Sequence, residues 1–66
     1  MTLRELAERY DKEQEFRVTD EKGKNKGKFE RNELVKLDYA IAKREVVTYC
    51  NNPVEYKTLI VQVKFD

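Results

Sequence analysis

Five basic side chains fall within one short stretch of the chain. A lysine stands at every second position and an arginine closes the run: Lys22, Lys24, Lys26, Lys28 and Arg31. From Glu21 to Arg31 there are five positive and two negative side chains, a local excess of +3 in a chain whose net charge is +1. A basic hairpin can bind nucleic-acid phosphates, but lysines also keep sheet edges from pairing. Only Phe29 is near as a base-stacking ring, which favours the second interpretation.

Groups that could carry out catalysis are scarce. The chain has no histidine and no serine, and Cys50 is its only cysteine. Catalytic triads and zinc sites of cysteine and histidine therefore cannot be assembled. Acidic pairs such as Glu30 and Glu33 are expected on a solvated surface, and Cys50 is expected to be a small buried core residue. We expect no enzymatic activity, no metal, no cofactor and no small-molecule substrate.

Tyrosines and β-branched residues indicate a second kind of surface. Tyrosine is enriched in protein interfaces, where its ring is buried and its hydroxyl stays hydrogen-bonded. If the even-numbered residues of the segment 46–50 face the helices, Val47 and Tyr49 lie exposed beside Ile60. The candidate residues for a protein interface are Val47, Tyr49, Tyr56 and Ile60. Alternatively, one helix covers each sheet face and no apolar patch exists. The sequence leaves both arrangements open.

These side chains must be positioned by strands, and the clearest strand pattern spans residues 58–65. Its apolar positions alternate: Leu59, Val61, Val63 and Phe65. This period of two predicts a central strand with one buried face. Phe16 and Val18 predict a second strand, residues 28–30 its return from a glycine-containing hairpin turn, and residues 46–50 a further strand that ends before Pro53.

Two helices are predicted to cover the strands. Thr2 and Glu5 have the spacing of a capping box, and one apolar stripe follows them: Leu3, Leu6, Ala7 and Tyr10. The second helix is predicted over residues 32–43, with Asn32 as its N-cap. We therefore expect a single α+β domain over residues 1–66, a two-layer sandwich in the order αββαββ. Its four-stranded, mostly antiparallel sheet consists of two hairpins in the order 2-1-4-3.

The length and the apolar content of the chain indicate how stable the protein is and in which compartment it is found. A chain of 66 residues buries only about 60% of the surface that it exposes when unfolded, so marginal stability or dimerisation is expected. No apolar run approaches the roughly 18 to 20 residues of a membrane span, and residues 1–5 lack the apolar core of a signal peptide. With a lone cysteine, we expect a soluble cytoplasmic protein with no membrane association.

The two ends of the chain, MTLRELAERYD and REVVTYCNNPVEYKTLIVQVKF, resemble small orphan proteins of phages and mobile elements of Gram-positive bacteria. The resemblance implies an accessory protein of the host cytoplasm that binds and modulates a bacterial protein. The sequence therefore favours a non-enzymatic protein-interaction module, and the module is compatible with self-association as a homodimer. The alternative is a small nucleic-acid-associated protein that places its lysine-rich hairpin on phosphates.

Overall fold

A computed structural model describes residues 1–55 and 57–65, which form a small α+β fold with a four-stranded mixed sheet and two helices. A short 3-10 helix lies between the second helix and the third strand. The elements in chain order are α1 (Leu3–Ala7), β1 (Glu15–Thr19), β2 (Asn25–Glu30), α2 (Arg31–Lys36), the 3-10 helix (Ala40–Lys43), β3 (Val46–Asn51) and β4 (Thr58–Val63). The strands are hydrogen-bonded in the order β2-β1-β4-β3.

The sheet is mixed, so the prediction of a mostly antiparallel sheet is wrong. β1 pairs antiparallel with β2, and β3 pairs antiparallel with β4, but β1 and β4 run parallel at the centre. The reason is the connection between the hairpins. α2 and the 3-10 helix carry the chain back along the sheet before β3 begins, as a crossover between strands of the same direction must. β3 therefore runs in the direction of β2, and β4 in the direction of β1.

One apolar cluster forms the core. It contains residues of α1, α2, the 3-10 helix and the two central strands: Leu3, Leu6, Ala7, Phe16, Val18, Leu34, Ala42, Leu59, Val61 and Val63. Phe16 lies beside Leu59 and Val18 beside Val61 in the parallel register, so these four side chains share one face of the sheet. The predicted burial of Leu59, Val61 and Val63 is confirmed, whereas Phe65 is only partly buried.

The predicted capping box at the start of α1 is confirmed. The Thr2 hydroxyl accepts a hydrogen bond from the Glu5 amide at 3.2 Å, and the Glu5 carboxylate accepts one from the Thr2 amide at 2.9 Å. These bonds to Thr2 hold the pKa of Glu5 below its ordinary value. Two donors at the helix start are thereby satisfied, although α1 itself is shorter than predicted and ends at Ala7.

The second predicted helix is interrupted. α2 ends at Lys36, Leu37 is extended (φ −98°, ψ 148°), and the 3-10 helix begins only at Ala40. The Arg4 guanidinium of α1 takes the carbonyls that a continuous helix would use: Nε donates to Leu34 at 3.2 Å and Nη2 to Leu37 at 3.1 Å. A cation at this carbonyl-rich end is also favoured by the helix dipole.

The predicted N-cap of α2 is also corrected. The N-cap residue is Glu30 and not Asn32, and the Glu33 carboxylate accepts a hydrogen bond from the Glu30 amide at 3.0 Å. α2 therefore starts directly after the last residue of β2. This immediate transition positions Leu34 over the sheet, where it is fully buried.

Candidate functional site: the free edge of β3

The two edges of the sheet differ in how well they are protected from pairing. β2, at one edge, carries Lys26 and Lys28, contains Gly27 at φ +128°, and shifts register against β1 between Val18 and Thr19. Charges and an irregular register are features by which natural proteins keep edge strands from pairing, and a glycine within a strand weakens it. The β2 edge is therefore poorly suited to adding a strand.

β3, at the other edge, has almost none of this protection. Its six residues, VVTYCN, contain no charge, and five of them are exposed. Val47 is 46% exposed and Tyr49 is 41% exposed. Val47 lies at a register shift between Val46 and Thr48, which is the one irregularity in the pairing of β3 with β4. An uncharged and exposed edge strand is a template for pairing with another chain.

The first part of the β3 edge is already covered by the start of the chain. Thr2 forms an antiparallel bridge with Glu45. The Leu3 amide donates to the carbonyl of Arg44 at 3.0 Å, and the Val46 amide donates to the carbonyl of Met1 at 2.8 Å. Pairing by the start of the chain therefore ends at Val46. We call the remaining stretch, residues 47–51, the free edge.

The backbone direction along the free edge follows from two observed hydrogen bonds. The Glu15 amide donates to the Lys57 carbonyl, so the backbone N–H and C=O groups of odd-numbered residues along β4 point to β1. The Asn52 amide donates to the Thr58 carbonyl at 3.1 Å. Because strand groups alternate in direction, Thr48 and Cys50 also point to β4. The N–H and C=O groups of Tyr49 and Asn51 then point away from the sheet.

The predicted interface residues are not brought together on one face. Tyr49 lies opposite Val61 on the core side of the sheet, whereas Ile60 lies opposite Cys50 on the other side. The expectation that Tyr49 stands beside Ile60 is therefore wrong. The register shift after Val46 adds one residue to β3, and each later side chain therefore lies on the opposite side of the sheet from the one expected. Tyr56, the fourth candidate, lies outside the described residues.

Cys50 corrects a second expectation about β3. It was predicted to be a small buried core residue, but its side chain is exposed. Cys50 pairs with Ile60, which lies on the side of the sheet opposite to the core side chains Leu59 and Val61. A second feature of the sequence, independent of strand register, also indicates this surface. Residues 46–54 form its longest uncharged run, in a chain of which 41% is charged.

The basic residues of the lysine-rich hairpin do not form one row. Lys26 lies 3.9 Å from the Asp20 carboxylate and 4.9 Å from the centre of the Phe65 ring. Lys28 instead lies 3.6 Å from Glu15 and 3.5 Å from Glu55. Lys22 and Lys24 are exposed in the turn. Arg31 is half-buried at the start of α2, where it donates to the Asn32 side chain at 3.1 Å. Neighbouring acids therefore offset part of the local positive charge.

Asp20 organises the turn of this hairpin. Its carboxylate accepts hydrogen bonds from the amides of Lys22 and Lys24, both at 2.9 Å. The Lys24 amide, followed by the Lys22 amide and the nearby Lys26 ammonium, holds the pKa of Asp20 below its ordinary value. An ionised carboxylate that accepts hydrogen bonds from backbone amides strongly favours a turn. The lysines therefore surround a structural acid.

The lowered pKa of Asp20 predicts a loss of stability in acid. The ionised form is favoured by folding, so its contribution is present above the unfolded pKa of about 4 and is lost as the pH falls through the lower folded pKa. Asp20→Asn is expected to lower the free energy of unfolding at pH 7, with a difference from the wild type that narrows below about pH 4. Urea unfolding between pH 2 and pH 7 measures both effects.

Glu21→Gln is the matched control for this experiment. Glu21 is exposed in the same turn, and within the described residues its carboxylate accepts no hydrogen bond. The Glu21→Gln substitution removes the same negative charge but keeps the Asp20 carboxylate and its hydrogen bonds to the backbone amides. A pH dependence that is equal in the two variants would show that charge alone, and not the Asp20 hydrogen bonds, governs the turn.

The side of the sheet away from the core side chains Leu59 and Val61 divides into two halves. On the β1 and β2 half, Arg17 lies 3.7 Å from Glu55, which also reaches Lys28. On the β3 and β4 half, the side chains are uncharged: Thr48, Cys50, Ile60 and Gln62. The neutral half adjoins the free edge, so a strand added at β3 would meet no charged side chain on this side.

The remaining surface offers little to a small ligand. Two shallow depressions are lined by Asp20, Glu21, Lys22 and Phe65, and by Asp11, Glu13, Gln14 and Lys57. In residues 1–55 and 57–65, no three acidic or cysteine side chains converge as metal ligands would. Nor does any helix in the described part of the chain have the length and apolar content to cross a membrane.

No protein-family model, no curated protein and no solved structure matches the chain.

Proposed function

We propose that the protein is a non-enzymatic protein-protein interaction module that binds an extended segment of a protein partner along the free edge of β3. In this mode the partner adds a strand to the sheet. Main-chain hydrogen bonds provide affinity, and alternate side chains provide specificity. The outward amide and carbonyl groups of Tyr49 and Asn51 supply the hydrogen bonds, and the exposed side chains of Val47 and Tyr49 supply apolar contact.

The observation that carries the proposal is the contrast between the two edges of one sheet. The β2 edge has lysines and a glycine, whereas the free edge of β3 has no charge and two exposed apolar side chains. A protein that protected both edges alike would be expected to place a lysine or proline within β3. The protection given to β2 is the physical reason for assigning the interaction to β3.

The proposal includes a two-layer arrangement, with the helices on one side of the sheet and the neutral half of the other side available beside β3. It also includes the bacterial cytoplasm as the location and a bacterial protein as the target, in line with the resemblance to small phage and mobile-element proteins. The nucleic-acid alternative has weaker support, because Lys26 and Lys28 are each paired with acids.

Selection from a displayed library of random peptides tests the proposal. Peptides selected on the wild-type protein are expected to lose binding to Val47→Lys and to retain it for Leu37→Lys. The control is closely matched, since Leu37 is 47% exposed and Val47 is 46% exposed. A lysine at an edge strand disfavours pairing, whereas Leu37 lies outside the sheet.

Hydrogen exchange locates the bound peptide. The amides of Tyr49 and Asn51 are expected to exchange more slowly when a selected peptide is present, because strand addition pairs both of them. Peptides that bind both lysine variants equally, or that leave these two amides unprotected, would contradict the proposal.

A further inference from the structure

We infer that the segment that covers the free edge is the free edge of a second copy of the chain, paired antiparallel about a two-fold axis at Tyr49. The result is a continuous eight-stranded sheet across two copies. This inference rests on the proposed function, since it names the partner of the same edge. It is carried by three features of β3: which backbone groups point outward, where the free edge begins and ends, and how its charges are distributed.

The outward groups restrict the register. In an antiparallel pair, two residues exchange both of their hydrogen bonds only if both point toward the partner strand. Tyr49 and Asn51 point outward, so Tyr49 can pair with Tyr49 of the second copy or with its Asn51. The second choice places Pro53 opposite Val47, and proline cannot donate a hydrogen bond to the ladder. The first choice aligns residues 47–51 of one copy fully with residues 47–51 of the other.

The two ends of the free edge also place Tyr49 at its centre. Toward the start of β3, Met1 already accepts the hydrogen bond of the Val46 amide. At the other end β3 stops at Asn51, and Pro53 beyond it has no amide to donate. Five residues remain, and Tyr49 is the middle one. A segment whose centre coincides with an outward-pointing residue is geometrically complementary to itself under two-fold symmetry.

The side chains are also compatible with self-pairing. Residues 46–54 carry no charge, so no like charges face each other across the axis, where they would oppose association. The two Tyr49 rings meet on the side of the sheet to which Val61 points. On the side of Ile60, Thr48 lies opposite Cys50 of the second copy. The exposed surfaces of Val47 and Tyr49 are thereby removed from water.

The small size of the contact sets the strength to expect. Five residues of edge pairing bury less than the roughly 1,600 Å² of a standard interface, which places the dimer among weak and reversible complexes. We expect dissociation constants of roughly 10 µM to 1 mM, and sedimentation velocity over that range of concentration measures them.

Tyr49→Lys tests the dimer directly. It places two ammonium groups opposite each other at the axis and is expected to weaken dimerisation by about tenfold or more. Leu37→Lys, which adds the same charge at a comparably exposed site, is expected to dimerise as the wild type does. A wild-type protein that remains monomeric at about 1 mM, or lysine variants that behave alike, would overturn the inference.

Cross-linking tests the register. In an antiparallel pair of residues without hydrogen bonds, the Cα atoms lie about 4.5 Å apart, which is within the range for a disulfide. Thr48→Cys places a new thiol opposite Cys50 of the second copy, so the oxidant diamide is expected to give a covalent dimer. Leu37→Cys, which also retains Cys50, is expected to cross-link several times more slowly. A wild-type protein that cross-links as fast as Thr48→Cys would place Cys50 at the axis and overturn the register.

These outcomes separate the inference from the proposed function. A wild-type monomer whose free edge still binds selected peptides overturns only the second copy as partner. A monomer that binds no peptide along β3 overturns both.

Discussion

Phe16→Ala is expected to bring the protein close to unfolding at 25 °C. Phe16 is fully buried on β1, one of the two central strands, and its ring packs edge-on against Tyr10 with 5.7 Å between the centroids. Truncating a buried phenylalanine costs about 3–5 kcal/mol. The whole stability of a domain of 66 residues is roughly 3–10 kcal/mol. The substitution therefore removes a large share of the free energy of unfolding.

Urea unfolding followed by circular dichroism measures this loss. Phe16→Leu keeps most of the buried apolar volume and is expected to remain folded, with a smaller loss of about 1–2 kcal/mol. If Phe16→Ala unfolded at the same urea concentration as Phe16→Leu, the burial of the Phe16 ring in the apolar core would be incorrect.

Gly27→Ala is expected to have the second largest effect. Gly27 lies at φ +128°, where residues with a side chain are strained, and an added Cβ would stand 3.1 Å from two ring carbons of Phe29. Backbone strain contributes about 1–3 kcal/mol, and over-packing contributes a similar amount. The expected loss in the free energy of unfolding is therefore about 2–4 kcal/mol.

Gly23→Ala is the matched control on the same hairpin. Gly23 also has a positive φ, +84°, but no atom lies within 4 Å of an added Cβ. Only backbone strain remains, so a loss of about 1 kcal/mol is expected, and Gly23→Asn should lose less because asparagine tolerates this region. Equal losses for the two alanine variants would mean that the Phe29 ring moves aside freely.

The strands were predictable because their pattern is local. The alternation in residues 58–63 and at Phe16 and Val18 identified β4 and β1, and these are the two central strands of the sheet. The spacing of Thr2 and Glu5 identified the start of α1, because the capping box depends only on neighbouring residues. Such signals need no knowledge of distant parts of the chain.

The errors arose where a distant residue decides local structure. The apolar pattern of residues 32–43 fits one helix, but Arg4, about thirty positions earlier, takes the Leu34 and Leu37 carbonyls and ends α2. The parallel pairing of β1 with β4 depends on how the crossover runs, which no single segment encodes.

The candidate site was predicted in part. Val47 and Tyr49 were identified as exposed, and both are. Their assignment to the side of Ile60 failed because one added residue in β3 reverses which face each later side chain occupies. The absence of charge across residues 46–54 was the more useful signal for this surface, since it does not depend on register.

The parallel pairing at the centre of the sheet has a consequence for how the protein is made. Phe16 lies beside Leu59, so the first and last strands must meet before either side of the core can close. Bringing such distant segments together delays folding, because the entropy of closing the long intervening chain is lost before the contact forms. A chain leaving the ribosome therefore cannot complete its core until β4 has emerged.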